Sequence, residues 1–563
     1  MHGGRRGCRR CPRDDIRQRP IPPAPPTAGT RTDRRARVHG VRPAHPCFRM
    51  RIRHLMRRER SRHSMTVAGQ EGSGGLGRIV SSAAYGIVGG LLGRAVGLVG
   101  TLLIARHLTP DIVAEVTVAT VVALTGNWIA AWGCGQYVVV RGGEGRDAVF
   151  AATVVYLLAG VAMIALLWWA SPWLALWMQA PRVADYLPGA LLGIGIRRLG
   201  AIPDKLLARD MRFGRIALGS ALGDVVYAVV AVSLVSTTSL GGQAMIIAFI
   251  AQSCVIAAST ITAVPWRAWL WPVRVTKARL RDLLRFGAPV TGEIVLSEGA
   301  RYWDKPLMLR LLGAHDAGSY GMAFNLAQLP AVYVGGHVGA VMMPAVVRAR
   351  PDERPVLMVR ALAFAALFLF PMAAGLAVCA PTLVATLLPT TWSRVAPLLS
   401  VLAIASLPAA GSFILSSFLA AHARNHRLMW IEAATVACLA VMLWALSGAG
   451  VVIASVAVGV AALLQWGLTV QACRQDGLRL QGLVRPLLRV ASGCGVMVLA
   501  VLAWRYAMGD GLHAGLRLPA EVAMGVVVYG GVLWAGARDL VVDAFDALGL
   551  SRFLPQRAIR EGE

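Results

Sequence analysis

Five charged side chains lie within an otherwise apolar stretch, between about residues 286 and 326. On a helix that turns 100° per residue they fall within an arc of about 140°, so one face is charged and the other apolar. Charged side chains inside a membrane usually face a bundle interior or a water-filled cavity. The stretch therefore predicts a functional site, although internal pairs between residues three apart would also account for the pattern. The five residues are Glu293, Glu298, Arg301, Asp304 and Lys305.

Other apolar stretches carry further charges that call for a partner. Arg94 lies near the middle of the first stretch, where a cation costs at least about 2.5 to 3.5 kcal/mol. It must face a cavity, an anion or a partner such as Asp224. Arg197 and Arg198 lie deep enough in the fourth stretch to line a pore.

These cations predict an interior suited to a phosphate-bearing substrate, because guanidinium groups bind phosphate through two parallel hydrogen bonds. The acidic residues either offset that charge or titrate as an ion-coupling site, and the sequence leaves both roles open. The predicted substrate-binding residues are Arg94, Arg197, Arg198, Arg301 and Lys305. The predicted ion-coupling or charge-balancing residues are Asp224, Glu293, Glu298 and Asp304.

The composition places these residues in a polytopic membrane protein. The chain has 563 residues, of which 56% are hydrophobic and 15% charged, unlike an ordinary globular domain. Its net charge of +28 is concentrated in the first 64 residues and in short loops, which argues against nucleic acid as the partner. Cys8 and Cys11 form a CxxC without a second pair, so no metal site is expected. We found no nucleotide-binding, metalloprotease or serine-hydrolase motif, so neither an enzyme nor a cofactor is predicted.

Fourteen apolar stretches are each long enough to cross a hydrocarbon core of about 30 Å. Before them, residues 1–64 form an Arg- and Pro-rich tail that is predicted to be disordered, unless Met50, Met56 or Met65 is the true start. The predicted spans are 79–104, 114–140, 148–171, 187–207, 215–236, 239–262, 286–311, 317–345, 357–378, 395–420, 428–447, 449–472, 484–506 and 519–537.

Arginine and lysine are concentrated in every second loop, which by the positive-inside rule predicts cytoplasmic termini and an even number of spans. Fourteen fits, and twelve requires the last pair to be interfacial. The basic connection 263–285 divides an N-lobe, 79–262, from a C-lobe, 286–472. Two more spans follow in 484–537, and 538–563 form a cytoplasmic tail.

The two lobes share a weak internal repeat, at the same place in each six-helix unit. Leu102 to Val116 (LLIARHLTPDIVAEV) aligns with a segment reading LMLRLLGAHDAGSY across the seventh and eighth spans. Units with an even number of spans have the same orientation, so the repeats should be related by an axis along the membrane normal. In this alignment Arg106 falls on Arg310, Leu108 on Leu312 and Ala114 on Gly318.

Three segments resemble the polysaccharide-exporter branch of the multidrug/oligosaccharidyl-lipid/polysaccharide flippase superfamily. They are ARHLTPDIVA (105–114), IPDKLLARDMRFGRIAL (202–218), and RFGAPV with ARYWDKPLMLRLLGAHDAGSYGMAFNLAQLP (285–330). The first departs from the family pattern, because Val113-Ala114-Glu115-Val116 stands where the family tends to have a Phe-Gly-x-Tyr-like turn.

The resemblance implies two six-helix lobes around a central cavity in a bacterial inner membrane. It also implies transfer of an undecaprenyl-diphosphate-linked oligosaccharide from the cytoplasmic to the periplasmic leaflet by alternating access. Membrane lipids and polysaccharide polymerase or export machinery are the implied partners. The last two spans resemble those of longer members such as lipid II flippases, where they would form a groove for the polyprenyl tail. A multidrug antiporter of the same fold and a non-transporting scaffold for polysaccharide assembly remain alternatives.

Overall fold

All regular elements in the described part of the chain are helices, as predicted. The computed structural model describes residues 96–508, apart from 423, 479 and 481, together with residues 514–538. In chain order the helices are α1 (Val96–Ala105), α2 (Pro110–Ala130), α3 (Cys134–Arg141), α4 (Arg146–Met178), α5 (Val183–Arg209), α6 (Phe213–Thr237), α7 (Gly242–Ile261), α8 (Lys277–Tyr302), α9 (Asp304–Leu312), α10 (Ala314–Ala327), α11 (Gly336–Arg348), α12 (Arg354–Leu387), α13 (Val395–Ala421), α14 (Asn425–Leu446), α15 (Val451–Gln475), α16 (Val484–Met508) and α17 (Ala514–Gly536).

Among the described residues, ten helical segments are long and apolar enough to cross a membrane, and each overlaps a predicted span. The chain is therefore a multi-pass membrane protein. The other predicted spans are 79–104, most of which precedes the described residues, and 187–207, 286–311 and 317–345, which carry charges or breaks. The count of fourteen stays a prediction.

The seventh predicted span is interrupted where a single helix was expected. α8 ends at Tyr302 and α9 begins at Asp304, with Trp303 between them. In a continuous helix the N–H of residue 306 would bond to the carbonyl of Tyr302, but Pro306 has no N–H. The interruption therefore falls between Arg301 and Asp304, within the predicted charged face.

The eighth predicted span is also divided. α10 ends at Ala327, and a short π-helix, Ala331–Gly335, leads into α11. Pro330 stands at the junction, where it cannot donate a backbone hydrogen bond. Breaks and π-turns of this kind are tolerated at membrane depth where the chain lines a cavity or is covered by other helices.

The helices pack as two lobes and a terminal pair. In the N-lobe, α1–α7, helix α7 packs along both α5 and α6; in the C-lobe, α8–α15, helix α13 packs along α12 and α15. α16 and α17 pack on each other and on α12. The lobes meet chiefly where α2 packs on α10, and one hydrophobic cluster that includes Leu187, Tyr320 and Trp392 extends across both lobes.

Successive membrane-crossing segments run in alternate directions, so the loops between them lie on two faces. The basic face contains loops 142–145, 210–212, 262–276 and 349–353, with residues 476–478. Loops 106–109, 179–182, 238–241, 388–394 and 447–450, with residue 313, form the distal face. On the basic face Arg279 bonds to Glu144, and on the distal face the indole of Trp392 donates to the carbonyl of Leu108.

A proline in α12 provides the acceptor that holds the last helix. Pro371 has no N–H, so the carbonyl of Leu367, four residues earlier, lacks its usual helical partner. The hydroxyl of Tyr529 in α17 donates to that carbonyl at 2.8 Å. A second proline, Pro381, leaves the carbonyl of Ala377 free, and the hydroxyl of Ser400 donates to it at 2.8 Å.

Candidate functional site

A cavity of about 620 Å³ lies between the two lobes. α1 and α6 of the N-lobe form one wall, and helices α8, α9, α10, α13, α14 and α15 of the C-lobe form the rest. Cavities of this size bind small molecules or parts of larger ones, with a few polar groups that set their orientation. The charged and amide side chains on its wall are Asp224, Arg301, Asp304, Lys305, Asn325, Gln328, Glu432 and Gln465.

The deepest charges on the cavity wall form a buried ion pair. Asp304 is 2% exposed and Lys305 7% exposed. Lys305 Nζ lies 3.5 Å from Asp304 Oδ1, and the Tyr320 hydroxyl donates to Asp304 Oδ2 at 2.7 Å. The ammonium of Lys305 also lies 4.6 Å from the ring centroid of Phe324, within cation–π range. Because a buried charge needs a partner, each residue of the pair neutralises the other.

Arg301 differs from Lys305 in that no carboxylate of the described chain contacts it, although the charge of Glu432 on the same wall acts on it. It is exposed on the cavity wall, and among the described residues it makes no hydrogen bond or ion pair. Its guanidinium lies 5.8 Å from the ring centroid of Phe413. The predicted alternative, an internal pair with Glu298 or Asp304, is therefore not formed, since Asp304 pairs with Lys305. A planar group with five free donors can bind a phosphate.

Two carboxylates on the wall are held by amides from neighbouring helices. Gln252 Nε2 donates to Asp224 Oδ1 at 2.9 Å, and Gln465 Nε2 donates to Glu432 Oε1 at 2.9 Å. Glu432 and its amide partner were missed by the sequence analysis. The sequence signal for Glu432 was a single carboxylate within the predicted span 428–447. The same kind of signal identified Asp224 in its own span.

Three further predicted site residues, Glu293, Glu298 and Arg197, lie away from this wall. Glu293 is exposed and Glu298 half-buried, and neither lines the cavity. Glu293 shares the angular arc of Arg301 but precedes it by about 12 Å along the helix axis, toward the basic face. Arg197 is half-buried, with Asp224 and Asp204 as the carboxylates that act on its charge. Arg94 lies outside the described residues.

Arg198 holds a helix end rather than lining the cavity. It is 4% exposed, and its guanidinium donates to Asn127 Oδ1 at 2.5 Å, to the Ala130 carbonyl at 3.2 Å and to the Tyr156 carbonyl. Ala130 is the last residue of α2, whose final carbonyls have no helical donor. At membrane depth they must be satisfied by protein groups. Arg198 therefore caps α2, and it needs the space left by Gly160, where a Cβ would lie 2.0 Å from its Nε.

An ion cluster fastens the start of α8 to the N-lobe on the basic face. Arg279 lies 2.8 Å from Glu144 and 2.9 Å from Asp147, and Arg141 lies 2.9 Å from Glu144. Hydrogen bonds from Arg279 and then Arg141 hold the pKa of the Glu144 carboxyl below its ordinary value. The same contacts, first that with Glu144, raise the pKa of Arg279. The connection between the lobes is thus anchored at its C-terminal end.

An apolar groove of about 830 Å³ adjoins the cavity. α10, α12, α16 and α17 line it, and Leu326 and Leu329 belong to the walls of both spaces. Its one charged lining residue is Glu521, which is 0% exposed. Arg505 bonds to both oxygens of Glu521 at 3.0 Å, and the Thr382 hydroxyl donates to the same carboxylate at 2.9 Å. These bonds attach α16 and α17 to α12 and close one side of the groove.

Comparison with known proteins gives a family match over the first part of this architecture. A family model described as polysaccharide biosynthesis protein matches residues 103–397, just over half of the chain. Lipopolysaccharide biosynthesis protein WzxC of Escherichia coli (strain K12) is 27% identical over 143 residues. That aligned region is 25% of this chain and spans 29% of the length of WzxC.

Two solved structures are similar over most of the described helices. Lipid II flippase MurJ, in an inward closed conformation, superposes with a TM-score of 0.69 at 14% identity, covering 81% of this chain and 99% of that one. An inward-facing multidrug resistance MATE family transporter of the MOP superfamily gives 0.55 at 13% identity, covering 69% and 95%. At these identities the likeness concerns the fold, and it confirms the predicted all-helical membrane-protein fold.

Proposed function

Because the chain belongs to the polysaccharide biosynthesis protein family, we propose that it transports a lipid-linked oligosaccharide across the membrane. The substrate would be an undecaprenyl-diphosphate-linked oligosaccharide, moved from the cytoplasmic to the periplasmic leaflet of a bacterial inner membrane by alternating access. The product would serve exopolysaccharide or lipopolysaccharide synthesis. The basic face is cytoplasmic in this proposal, and both termini lie on that side.

The observation that carries the proposal is the junction of a polar cavity with an apolar groove. A lipid-linked oligosaccharide has a charged and hydroxylated head and a long hydrocarbon tail, and each part needs a different solvent. The cavity offers amides, carboxylates and a guanidinium, whereas the groove is apolar apart from the neutralised Glu521. Since Leu326 and Leu329 border both spaces, one amphiphile can occupy the two at once.

Within the cavity, Arg301 is the proposed ligand of the diphosphate. Its donors are free among the described residues, whereas Lys305 is already paired with Asp304. A guanidinium is less strongly hydrated than an ammonium and matches two phosphate oxygens at once. Glu432 leaves room for hydrogen bonds to sugar hydroxyls, because one of its carboxylate oxygens accepts from the Gln465 amide and the other faces the cavity. Arg94 stays a predicted second phosphate ligand.

Transfer between leaflets of proteoliposomes tests this function. An undecaprenyl-diphosphate oligosaccharide would be incorporated, and its appearance in the outer leaflet followed with an impermeant glycan-modifying reagent. Loss of a charged hydrogen bond costs about 1.5–3 kcal/mol, so Arg301→Ala should lower transport at limiting substrate by about 10- to 150-fold. Arg301→Lys should retain part of the rate. Arg474→Ala, at an exposed position on the basic face, is the matched control and should transport like the wild type.

A second function is favoured by the acidic and aromatic groups of the same cavity. Asp224 and Glu432, with the rings of Tyr302, Phe324 and Phe413, would suit an organic cation. A multidrug exporter would expel a fluorescent organic cation from cells and lose that activity in Glu432→Gln, while Arg301→Ala would retain it. Absence of both activities, with Arg301→Ala tolerated in cells that still make polysaccharide, would favour the scaffold alternative.

A further inference from the structure

The internal repeat brings two equivalent residues into direct contact. The sequence alignment places Arg106 on Arg310 and Ala114 on Gly318, so equivalent positions are 204 residues apart. At that same separation, His315 Nδ1 lies 3.2 Å from Asp111 Oδ2. In a two-fold arrangement, a position touches its own equivalent only on the symmetry axis. The contact therefore marks the axis that relates the lobes, on the distal face.

Close packing surrounds this contact. A Cβ added to Gly318 in α10 would lie 2.0 Å from the carbonyl oxygen of Pro110 in α2, so the two backbones touch there. Nearby, the fully buried Trp392 of the C-lobe donates from its indole to the carbonyl of Ala105 at 2.8 Å and to that of Leu108 at 3.2 Å. The first copy of the repeat is thus held by the C-lobe at three points.

A narrow space extends from the cavity toward this contact. It measures about 40 Å³ and lies between α1 and α2 on one side and α9 and α10 on the other. Thr101, Lys305 and Asn325 line both this space and the central cavity. Ala114 and Gly318, the aligned pair one helical turn from Asp111 and His315, also line it. The space between the cavity and the distal face is therefore closed where α2 packs on α10, next to Asp111 and His315.

We propose that Asp111 and His315 form a latch on the internal two-fold axis, which closes the central cavity toward the distal face and separates once in each transport cycle. Opening on the axis moves both lobes by equal and opposite amounts, so this contact has to separate whenever the path to the distal face opens. The inference rests on the proposed transport function, because a scaffold would have no need to open. It adds two residues that act by positioning the lobes and do not contact the substrate.

Because the two positions are equivalent, their side chains can be exchanged, and this tests the contact more directly than replacing either side chain alone. Exchanging the side chains, as Asp111→His with His315→Asp, keeps an imidazole against a carboxylate. His315→Asp alone places two carboxylates together, and Asp111→His alone places two imidazoles together. Opening is measured as the rate at which an impermeant maleimide, applied from the distal side, labels an Asn325→Cys protein. The same protein without that cysteine corrects for the nine native cysteines.

We expect each single variant to label faster than the wild type by about 2- to 5-fold, which corresponds to the loss of one exposed polar contact between side chains. The exchanged protein should return to the wild-type rate. Equal rates in all four proteins would overturn the latch, and so would an exchanged protein that labels as fast as the single variants. Since the exchanged protein contains both substitutions, its recovery also excludes misfolding as the cause.

A disulfide between the two positions provides the matching transport measurement. Oxidised Asp111→Cys with His315→Cys should lose transfer of the lipid-linked oligosaccharide and regain it on reduction, whereas oxidised wild type should be unaffected. Undiminished transport by fully cross-linked protein would overturn the inference. If the wild type itself moves no such lipid, the proposed function fails, and the labelling rates still decide whether the latch exists.

Discussion

Replacing Asp304 by asparagine is expected to destabilise the protein, because the ammonium of Lys305 would then remain buried beside a neutral amide. The two side chains are 2% and 7% exposed and lie 3.5 Å apart. Removing one partner of a buried pair typically costs about 3–5 kcal/mol, since the other charge keeps its desolvation penalty. The hydroxyl of Tyr320, which donates to Asp304 at 2.7 Å, can still donate to the amide oxygen, so the charge is the main loss.

The free energy of unfolding can be measured by titrating the protein from dodecyl maltoside micelles into SDS. Asp304→Asn combined with Lys305→Met removes both charges and should be neutral or up to about 4 kcal/mol more stable than the wild type. Asp210→Asn is the matched control, because Asp210 pairs with Arg209 at an exposed site, where such pairs contribute about 0–1 kcal/mol. A double variant less stable than Asp304→Asn would refute the argument that an isolated buried charge is responsible.

Two further outcomes follow from ion pairs outside the cavity. Glu521→Gln should loosen α16 and α17 from α12, because the carboxylate that accepts from Arg505 is buried. Limited proteolysis should then cleave the loop between α15 and α16 faster than in the wild type. Unchanged cleavage would contradict this anchoring. In the folded protein the pKa of the Glu144 carboxyl lies below its ordinary value, because Arg279 and Arg141 donate hydrogen bonds to it. The carboxylate therefore stabilises the fold fully above the ordinary carboxyl pKa, and this stabilisation is lost as the pH falls through the lower pKa of the folded state. The melting temperature of the wild type should therefore exceed that of Glu144→Gln at pH 7 and converge with it in acid, and a difference that persists there would exclude this cause.

From the sequence, the cost of burial indicates which charged residues need a partner or a cavity, but it does not indicate which of the two each residue finds. Arg301 and Arg198 are both guanidiniums in predicted spans, yet one faces the cavity and the other caps α2. That cap exists because the chain turns at Trp132 and Gly133, whose φ angles are 43° and 58°. Helical periodicity does not reveal such a turn, since neither residue breaks the apolar pattern.

The charged face of the seventh span was predicted only in part for a similar reason. The angular arc describes only the direction of side chains around the helix axis, whereas the cavity also has a limited depth along that axis. Arg301, Asp304 and Lys305 lie at that depth, and Glu293 lies closer to the basic face. The interruption after Tyr302 was recognisable from Pro306, because a proline removes a predictable hydrogen bond. The depth of the cavity depends on helices far away in sequence and could not be predicted locally.

The hydrogen bond that attaches the last helix links the choice of residue at two positions far apart in sequence, Pro371 and Tyr529. Pro371 leaves the carbonyl of Leu367 without a helical donor, and Tyr529 supplies one. In a homologue that lacks the proline, this carbonyl already accepts the helical N–H, so a tyrosine hydroxyl there stabilises the protein less; a homologue that lacks the terminal helices leaves the carbonyl unsatisfied in hydrocarbon. The two features should thus be gained and lost together in evolution, so that the proline becomes a local marker of whether a relative carries the additional helix pair.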